Sequence, residues 1–159
     1  MLDNLPVTTG RPEVIDLGSG SGALGVAFAL DNPGAHILFV DESHLAVRSA
    51  EATFRDAFAG RDVADHRWAD FRVGDCLDGL PDSSADLILN NPPFHQGRAI
   101  GDDVAWKMFT GSKRVLRRGG EVRVVGNRHL NYDAKLRRVF GNSEVVAANS
   151  KFVVIRSVR

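Results

Sequence analysis

Short apolar runs alternate along this chain with longer stretches in which apolar residues recur at helical spacing. The first run, Glu13–Leu17, leads through a glycine-rich turn into a helical stretch, and a second run follows at His36–Asp41. Five later runs lie at residues 68–73, 85–89, 121–126, 144–148 and 152–158. Because strands that alternate with helices form parallel sheets, the pattern predicts an α/β protein with a mostly parallel sheet. Only residues 149–151 separate the last two runs, so a hairpin is expected, with one antiparallel strand at or near an edge.

Residues at the ends of the predicted helices fit this pattern. Ser43 is expected to be the N-cap of the helix after the second strand, because its hydroxyl can accept a bond from a free helix amide. Asp102 or Asp103 is expected to cap the third helix, and the glycine pair at residues 119–120 to end it. Gly141 is expected to end a short basic helix at residues 132–140.

Length and composition are those of a globular protein with a real hydrophobic core. The 159 residues, 43% hydrophobic and 25% charged, predict one domain over residues 1–159, in which residues 1–12 form a lead-in. No apolar run approaches the length of a membrane span, and no signal-peptide pattern opens the chain. A single cysteine, Cys76, excludes an internal disulfide and a four-cysteine zinc site. We therefore expect a cytoplasmic protein that uses neither membrane nor metal.

The zero net charge conceals an asymmetry along the chain. Residues 1–97 contain 6 Lys and Arg against 15 Asp and Glu, a net charge of −9. Residues 98–159 contain 14 Lys and Arg against 5 Asp and Glu, a net charge of +9. A separation of this kind favours a basic surface that binds a polyanion. The alternative is that the arginines lie on solvated helix surfaces and have no binding role.

Polar residues stand where four consecutive strands are predicted to end. They are Asp16 before the glycine turn at residues 18–22, then Asp41, Asp75 and Asn91. In open parallel sheets, ligands bind beyond the carboxyl ends of the strands, where the winding reverses. Asp41, about 20 residues beyond the turn, is expected to accept hydrogen bonds from a ribose diol, and Asp75 from an exocyclic amine such as that of adenine. Each acid also has a structural interpretation, as a helix cap or a strand end.

The segment Asn91-Pro92-Pro93-Phe94 is unusual for an ordinary turn. Each proline keeps the preceding residue out of the helical region and removes a backbone donor, so the loop is predicted to be stiff and extended. It offers a carboxamide, free carbonyls and an aromatic face, which suit a flat group that carries an amine. A rigid turn with Phe94 as a hydrophobic plug is the alternative. The spacing Gly18-x-Gly20-x-x-Ala23 also satisfies a relaxed dinucleotide fingerprint. An NAD-linked oxidoreductase is therefore kept as the least favoured alternative, because the sequence shows no catalytic Tyr-x-x-x-Lys or comparable proton relay.

Taken together, these motifs resemble those of the class I S-adenosylmethionine-dependent methyltransferases that modify amines. More narrowly, the chain is similar to the catalytic domain of the ribosomal RNA guanine-N2 methyltransferase family that comprises enzyme C and its large-subunit relative G. The narrower match rests on residues 90–100, 126–130 and 149–152 and covers nearly the whole chain. The resemblance implies a Rossmann-like class I methyltransferase fold, a seven-stranded sheet with helices on both faces. It also implies methyl transfer from S-adenosylmethionine to the exocyclic N2 of a guanine in ribosomal RNA or a ribosomal subunit.

The resemblance further implies a role for particular residues. The residues expected to be catalytic are Asn91, Pro92 and Phe94. The residues expected to bind the cofactor are Asp16, Gly18, Ser19, Gly20, Gly22, Asp41, Asp75, Cys76 and Asn91. The residues expected to contact substrate are Pro93, Phe94, His95 and Arg128. The pairs at residues 117–118 and 137–138 are further candidates for phosphate contacts, with solvated helix surface as an equal alternative.

Three alternatives stay open at this point. The Asn-Pro-Pro-aromatic loop is shared with protein-glutamine and DNA-adenine methyltransferases, and the basic second half favours nucleic acid without separating RNA from DNA. A catalytically silent methyltransferase-like module that binds RNA is the alternative from another class. The rRNA enzymes usually carry an upstream segment and an extra N-terminal domain, whereas this chain starts almost at its first strand. We therefore expect either a fragment or a minimal form of such an enzyme.

Overall fold

The computed structural model describes residues 4–60, 68–93 and 100–159. Strands and helices alternate through these ranges. The strands are β1 Glu13–Leu17, β2 His36–Asp41, β3 Ala69–Val73, β4 Ala85–Asn90, β5 Leu116–Asn127, β6 Glu144–Ala148 and β7 Phe152–Val158. The helices are α1 Ala23–Asp31, α2 His44–Phe58, α3 Ile100–Val115 and α4 Tyr132–Phe140.

The seven strands form one sheet in the order β3-β2-β1-β4-β5-β7-β6. The first five of these are parallel, whereas β7 is antiparallel to both β5 and β6. This arrangement confirms the predicted sheet and places the antiparallel strand one position from an edge. The winding reverses between β1 and β4, so the gap beyond their carboxyl ends is the expected place for a ligand.

Each face of the sheet carries its own hydrophobic core, because side chains of successive strand residues point to opposite faces. On one face, α1 and α2 cover Val14, Phe39 and Leu89. On the other face, α3 and α4 cover residues such as Ile15 and Ile88. Helices on both faces, as predicted, keep the parallel strands out of water. No helix within the described ranges is both long enough and apolar enough to cross a membrane.

The boundary between α3 and β5 differs from the prediction. The helix ends at Val115, and β5 starts at once with Leu116, which pairs with Ala85. Regular pairing resumes only at Glu121, opposite Leu87, so four residues bulge out of the ladder. The glycine pair at residues 119–120 had been expected to end the helix, but it lies in this bulge.

The expected caps had mixed outcomes. The Ser43 hydroxyl accepts a bond of 3.3 Å from the Ala46 amide, which confirms it as the N-cap of α2. Asp102 and Asp103 do not cap α3, because that helix already begins at Ile100 and both residues lie in its first turn. Gly141 ends α4 in a left-handed conformation, as predicted.

Candidate functional site

A cavity of about 220 Å³ lies beyond the carboxyl ends of β1 to β4, at the reversal of the winding. One wall is the start of the glycine turn and the end of β2, a second is the β4 end, and a third is α3. The residues that line it are Leu17, Gly18, Val40, Asp41, Glu42, Gly74, Asp75, Cys76, Asn91, Pro93, Val104, Lys107 and Met108. The cavity therefore lies where the sequence predicted a ligand.

The glycine turn comes close to both other walls at Gly18. This residue has φ +69°, and a Cβ placed on it would lie 3.5 Å from Met108 Cε and 3.6 Å from the Asn91 backbone oxygen. The amides of Gly18 and Ser19 donate to the Val40 carbonyl at 2.9 and 3.1 Å, which ties the turn to β2. Gly18 thus leaves the cavity room between the turn and the end of β4.

Gly22 has a different reason to be glycine. It is the N-cap of α1 with φ +79°, and a Cβ there would lie 2.9 Å from both Cα and Cβ of Ala50. No real Cβ approaches a neighbouring backbone so closely, so a side chain would push α1 away from α2. Gly22 is buried and does not line the cavity, and its conformation serves helix packing.

Asp41 joins the glycine turn to the start of α2. Its Oδ2 accepts from the Gly20 amide and its Oδ1 from the Ser43 amide, both at 2.9 Å. A carboxylate offers about four acceptor positions, so two remain for a ligand after these bonds are made. Because the backbone holds the side chain in place, its cavity-facing lone pairs are preorganised.

Asp16 lies beneath the turn and not on the cavity wall. The side chain is buried, and its Oδ2 accepts from the Gly25 amide in the first turn of α1 at 2.9 Å. Burial raises the pKa of this carboxyl from 3.8 to about 7, the Gly25 bond opposes the shift, and the nearby Asp41 charge adds to it. Asp16 therefore supports the helix that follows the turn.

Lys107 of α3 neutralises the acids at the end of β3. Its Nζ lies 2.8 Å from Asp75 Oδ2 and 2.7 Å from Asp78 Oδ2. Hydrogen bonds from Lys107, and then from Cys76, lower the pKa of Asp75. Burial, followed by the hydrogen bond to Asp75, raises the pKa of the Cys76 thiol to about 12. The thiol thus stays protonated and unreactive at neutral pH.

The end of β4 presents two asparagines with opposite environments. Asn90 is fully buried, and neither atom of its carboxamide has a hydrogen-bond partner. Asn91 is exposed and lines the cavity, as does Pro93, while Pro92 is buried. The two prolines leave no backbone donors there, so the loop faces the cavity with acceptors and apolar surface.

The cavity brings together about half of the residues that the sequence singled out. Those on its wall are Gly18, Asp41, Asp75, Cys76, Asn91 and Pro93, and those off it are Asp16, Ser19, Gly20, Gly22, Pro92 and Arg128. Phe94 and His95 lie outside the described residues. Sequence reasoning missed the α3 wall, Val104, Lys107 and Met108, whose i, i+3, i+4 spacing was the available signal.

Within the part of the chain that the structure describes, no group of three or more His, Cys, Asp or Glu residues could hold a metal ion. Asp75 and Asp78, which follow β3, are already bridged by Lys107 of α3.

Comparison with known proteins places this site in a family. Residues 1–156 match the model of the methyltransferase small domain. A ribosomal RNA large subunit methyltransferase G from Streptomyces avermitilis is 54% identical over 158 residues, which are 99% of this chain and 40% of that protein. The protein of the same name from Stutzerimonas stutzeri is 49% identical over the same shares. The chain thus spans about 40% of the length of these curated relatives.

A solved structure supports the same placement. A 16S rRNA N2 methyltransferase from T. thermophilus, in complex with AdoMet and guanosine, superposes with a TM-score of 0.75 at 28% identity. The match covers 94% of this chain and 38% of that one. The expected class I methyltransferase architecture is therefore confirmed. With its sequence, its sheet order and its cavity in agreement, the chain belongs to the methyltransferase small domain family.

Proposed function

We propose that this chain transfers a methyl group from S-adenosylmethionine to the exocyclic N2 of a guanine in ribosomal RNA, in the cytoplasm. The observation that carries the proposal is the open cavity between the glycine turn at Gly18 and the end of β4 at Asn91. A methyl donor against the turn and an amine held at Asn91 would meet in it.

The residues present fit the cofactor. Gly18 leaves space where a side chain would contact Met108 and the Asn91 carbonyl, and Asp41 keeps acceptor positions for a ribose diol. Val40, Val104 and Met108 supply apolar walls for an adenine ring. When bound, S-adenosylmethionine supplies an electrophilic methyl group. Gly20 and Ser19 hold the shape of the turn, and Asp75 with Cys76 borders the end where the adenine amine would lie.

Asn91 and Pro92 would orient the guanine amine that accepts the methyl group. The exocyclic nitrogen of guanine is a poor nucleophile because its lone pair is delocalised into the ring. The Asn91 side-chain oxygen and the Pro92 carbonyl would accept its two N–H bonds and turn the lone pair towards the cavity. Orientation of this kind lowers the activation free energy by several kcal/mol. Phe94 and His95, outside the described residues, remain proposed contacts for the extruded base.

Two ionisable groups on the described part of the cavity wall, Asp75 and Cys76, are unsuited to act as a general base. The lowered pKa of Asp75 makes it a weak base, and the raised pKa of Cys76 keeps its thiol protonated. A general base is not needed in the proposed reaction, because an alkylated exocyclic nitrogen readily loses its proton. The site therefore supports catalysis by positioning.

The substrate class rests on the relatives. Those at 54% and 49% identity carry names that specify large-subunit ribosomal RNA, and the solved structure at 28% identity acts on 16S rRNA and contains guanosine. The higher identity favours large-subunit RNA as the first substrate to test. A net charge of +9 in residues 98–159 supports a polyanionic substrate over a protein.

The test is to incubate the purified chain with tritiated S-adenosylmethionine and protein-free rRNA of each subunit. The RNA is then digested to nucleosides and analysed by mass spectrometry. Tritium in N2-methylguanosine is the expected result. Label in a methylated adenine, or in added protein, would replace the proposal with one of the amino methyltransferase alternatives. Calorimetric binding of the cofactor without any transfer would indicate a catalytically silent module.

A further inference from the structure

Charged residues divide the carboxyl edge of the sheet into two unlike sides. At the ends of β2 and β3 stand Asp41, Glu42, Asp75 and Asp78, of which only Asp75 and Asp78 pair with Lys107 on the cavity wall. This side would repel a phosphodiester chain. At the end of β5 and in the β6–β7 turn, the described charged residues are cations instead.

We use the name basic rim for Arg128 together with residues 149–152. The rim is a single fixed unit. The Arg128 amide donates to the Lys151 carbonyl, and its guanidinium Nη1 donates to the Asn149 carbonyl, both at 3.1 Å. The Asn149 side-chain oxygen accepts from the amides of Lys151 and Phe152 at 2.9 and 2.7 Å. The β6–β7 turn is thereby tied to the end of β5.

The two cations of the basic rim keep their charge unneutralised. Arg128 donates to a neutral carbonyl, and the Lys151 Nζ lies 5.2 Å from the Phe152 ring centroid. Among the described residues, no carboxylate lies within 4.0 Å of either charged group. A guanidinium has five N–H donors and an ammonium three, so both residues have donors left for phosphate oxygens.

Three arginines of the basic half differ in this respect. Arg117 pairs with Asp86, while Arg123 and Arg156 pair with Glu121. Among the described residues, Arg128 and Lys151 are thus cations at the carboxyl edge that have no carboxylate partner.

The distance from the rim to the cavity suits a nucleotide chain. Asn90 pairs with Val124 across β4 and β5, and Asn127 pairs with Phe152 across β5 and β7. Arg128 thus lies one strand spacing across from Asn91 and three residues further along, and Lys151 lies two spacings across, so both are roughly 10–15 Å from Asn91. An RNA whose target base enters at Asn91 can place neighbouring phosphates on the rim.

We propose that the basic rim binds the RNA backbone beside the target nucleotide and fixes the side from which the strand enters. The inference rests on the proposed function, since it assumes that the base methylated at Asn91 belongs to RNA. Arg128 and Lys151 would contact phosphates, and the acidic side of the edge would exclude them. The strand would then cross the sheet over β5 and β7 and stop short of β2.

The test compares Arg128→Gln/Lys151→Gln with Arg118→Gln. Arg118 is an exposed arginine in the bulge before Glu121, at the opposite edge, about 17 Å from Asn91 along β4. Binding of a fluorescein-labelled single-stranded oligoribonucleotide is followed by anisotropy from about 50 to about 200 mM KCl. Methylation of protein-free rRNA and calorimetric binding of S-adenosylmethionine are measured on the same proteins. Lys151→Gln alone is added because its side chain makes no described hydrogen bond and its loss leaves the turn intact.

Each phosphate contact on a single strand contributes about 0.7 to the slope of log K against log salt. The double variant should lose about 1.4 from that slope and Lys151→Gln about 0.7, with a raised KM for RNA and an unchanged cofactor Kd. Arg118→Gln should match wild type. If the double variant methylates rRNA with the wild-type KM and keeps the wild-type salt slope, the proposed role of the basic rim is wrong, while the proposed function stands. Absence of RNA methylation by the wild type would overturn the proposed function, and the rim with it.

Discussion

Asp41 is the residue for which the structure and the sequence agree most closely. Its two backbone bonds fix the carboxylate at the cavity, so its loss should remove ligand bonds and the support of the turn together. Asp41→Ala should weaken binding of S-adenosylmethionine by about 1.5–3 kcal/mol, the worth of hydrogen bonds to a charged group. Isothermal titration calorimetry measures this directly.

Glu42→Ala is the matched control for Asp41. Glu42 also lines the cavity and carries the same charge, but Asp41 is the residue that the turn amides hold in place. The control should bind the cofactor within about threefold of wild type. Equal losses in the two variants would mean that the local negative charge, and not the geometry of Asp41, matters.

Asp16 predicts a pH dependence of stability. Its pKa of about 7 in the folded chain lies above the ordinary 3.8, so between these values the folded state binds more protons than the unfolded state. The free energy of unfolding should therefore fall as pH rises from about 4 to about 7, at up to about 1.4 kcal/mol per pH unit. Asp16→Asn, which can still accept from Gly25, should flatten this fall. Urea unfolding curves across that range provide the measurement, and parallel profiles for the two proteins would contradict the assignment.

Some positions on the cavity wall were predictable from the sequence and others were not. Asp41 and Asn91 could be placed there because each stands at a fixed position after an apolar run, and strand ends converge at one edge of a sheet. Lys107 was not found, because its contact with Asp75 depends on how α3 crosses the edge. The burial of Asp16 was equally hidden, since a motif does not reveal which side of a turn faces the ligand.

At the scale of elements, the glycine turn combines two different constraints. Gly22 packs against Ala50, whereas a Cβ on Gly20 would meet nothing within 4 Å. Both have positive φ, so alanine costs about 1–2 kcal/mol of backbone strain at either site. Gly22→Ala should cost a further 1–3 kcal/mol through overpacking between α1 and α2. Chemical denaturation of the two variants measures the difference, and equal destabilisation would contradict the packing role.

The order of elements followed from periodicity, but one boundary did not. Strands β1, β2, β6 and β7 have the limits that their apolar runs predicted. The join of α3 and β5 was misjudged because a glycine pair normally ends a helix. Here Gly119 donates to the Arg159 carbonyl and Gly120 accepts from the Arg159 amide, so the end of the chain fixes the bulge. A partner about 40 residues away leaves no local signal.

For the whole molecule, the charge asymmetry along the sequence becomes a separation of acidic from basic residues at the carboxyl edge of the sheet. The sheet order sets β2 and β3 on one side of the cavity and β5 and β7 on the other. The acidic first half and the basic second half therefore meet at the site. The sequence did not show which arginines face it, and the pair at residues 117–118 lies at the opposite edge.

The central claim is that an amine held at Asn91 faces a methyl donor held on the glycine turn. The most direct test is methyl transfer from tritiated S-adenosylmethionine to rRNA by Asn91→Ala, with the cofactor Kd measured by calorimetry on the same protein. The account predicts a loss of activity of at least about 100-fold, as when a preorganised acceptor or donor is removed, with the Kd nearly unchanged. Transfer at close to the wild-type rate would contradict it.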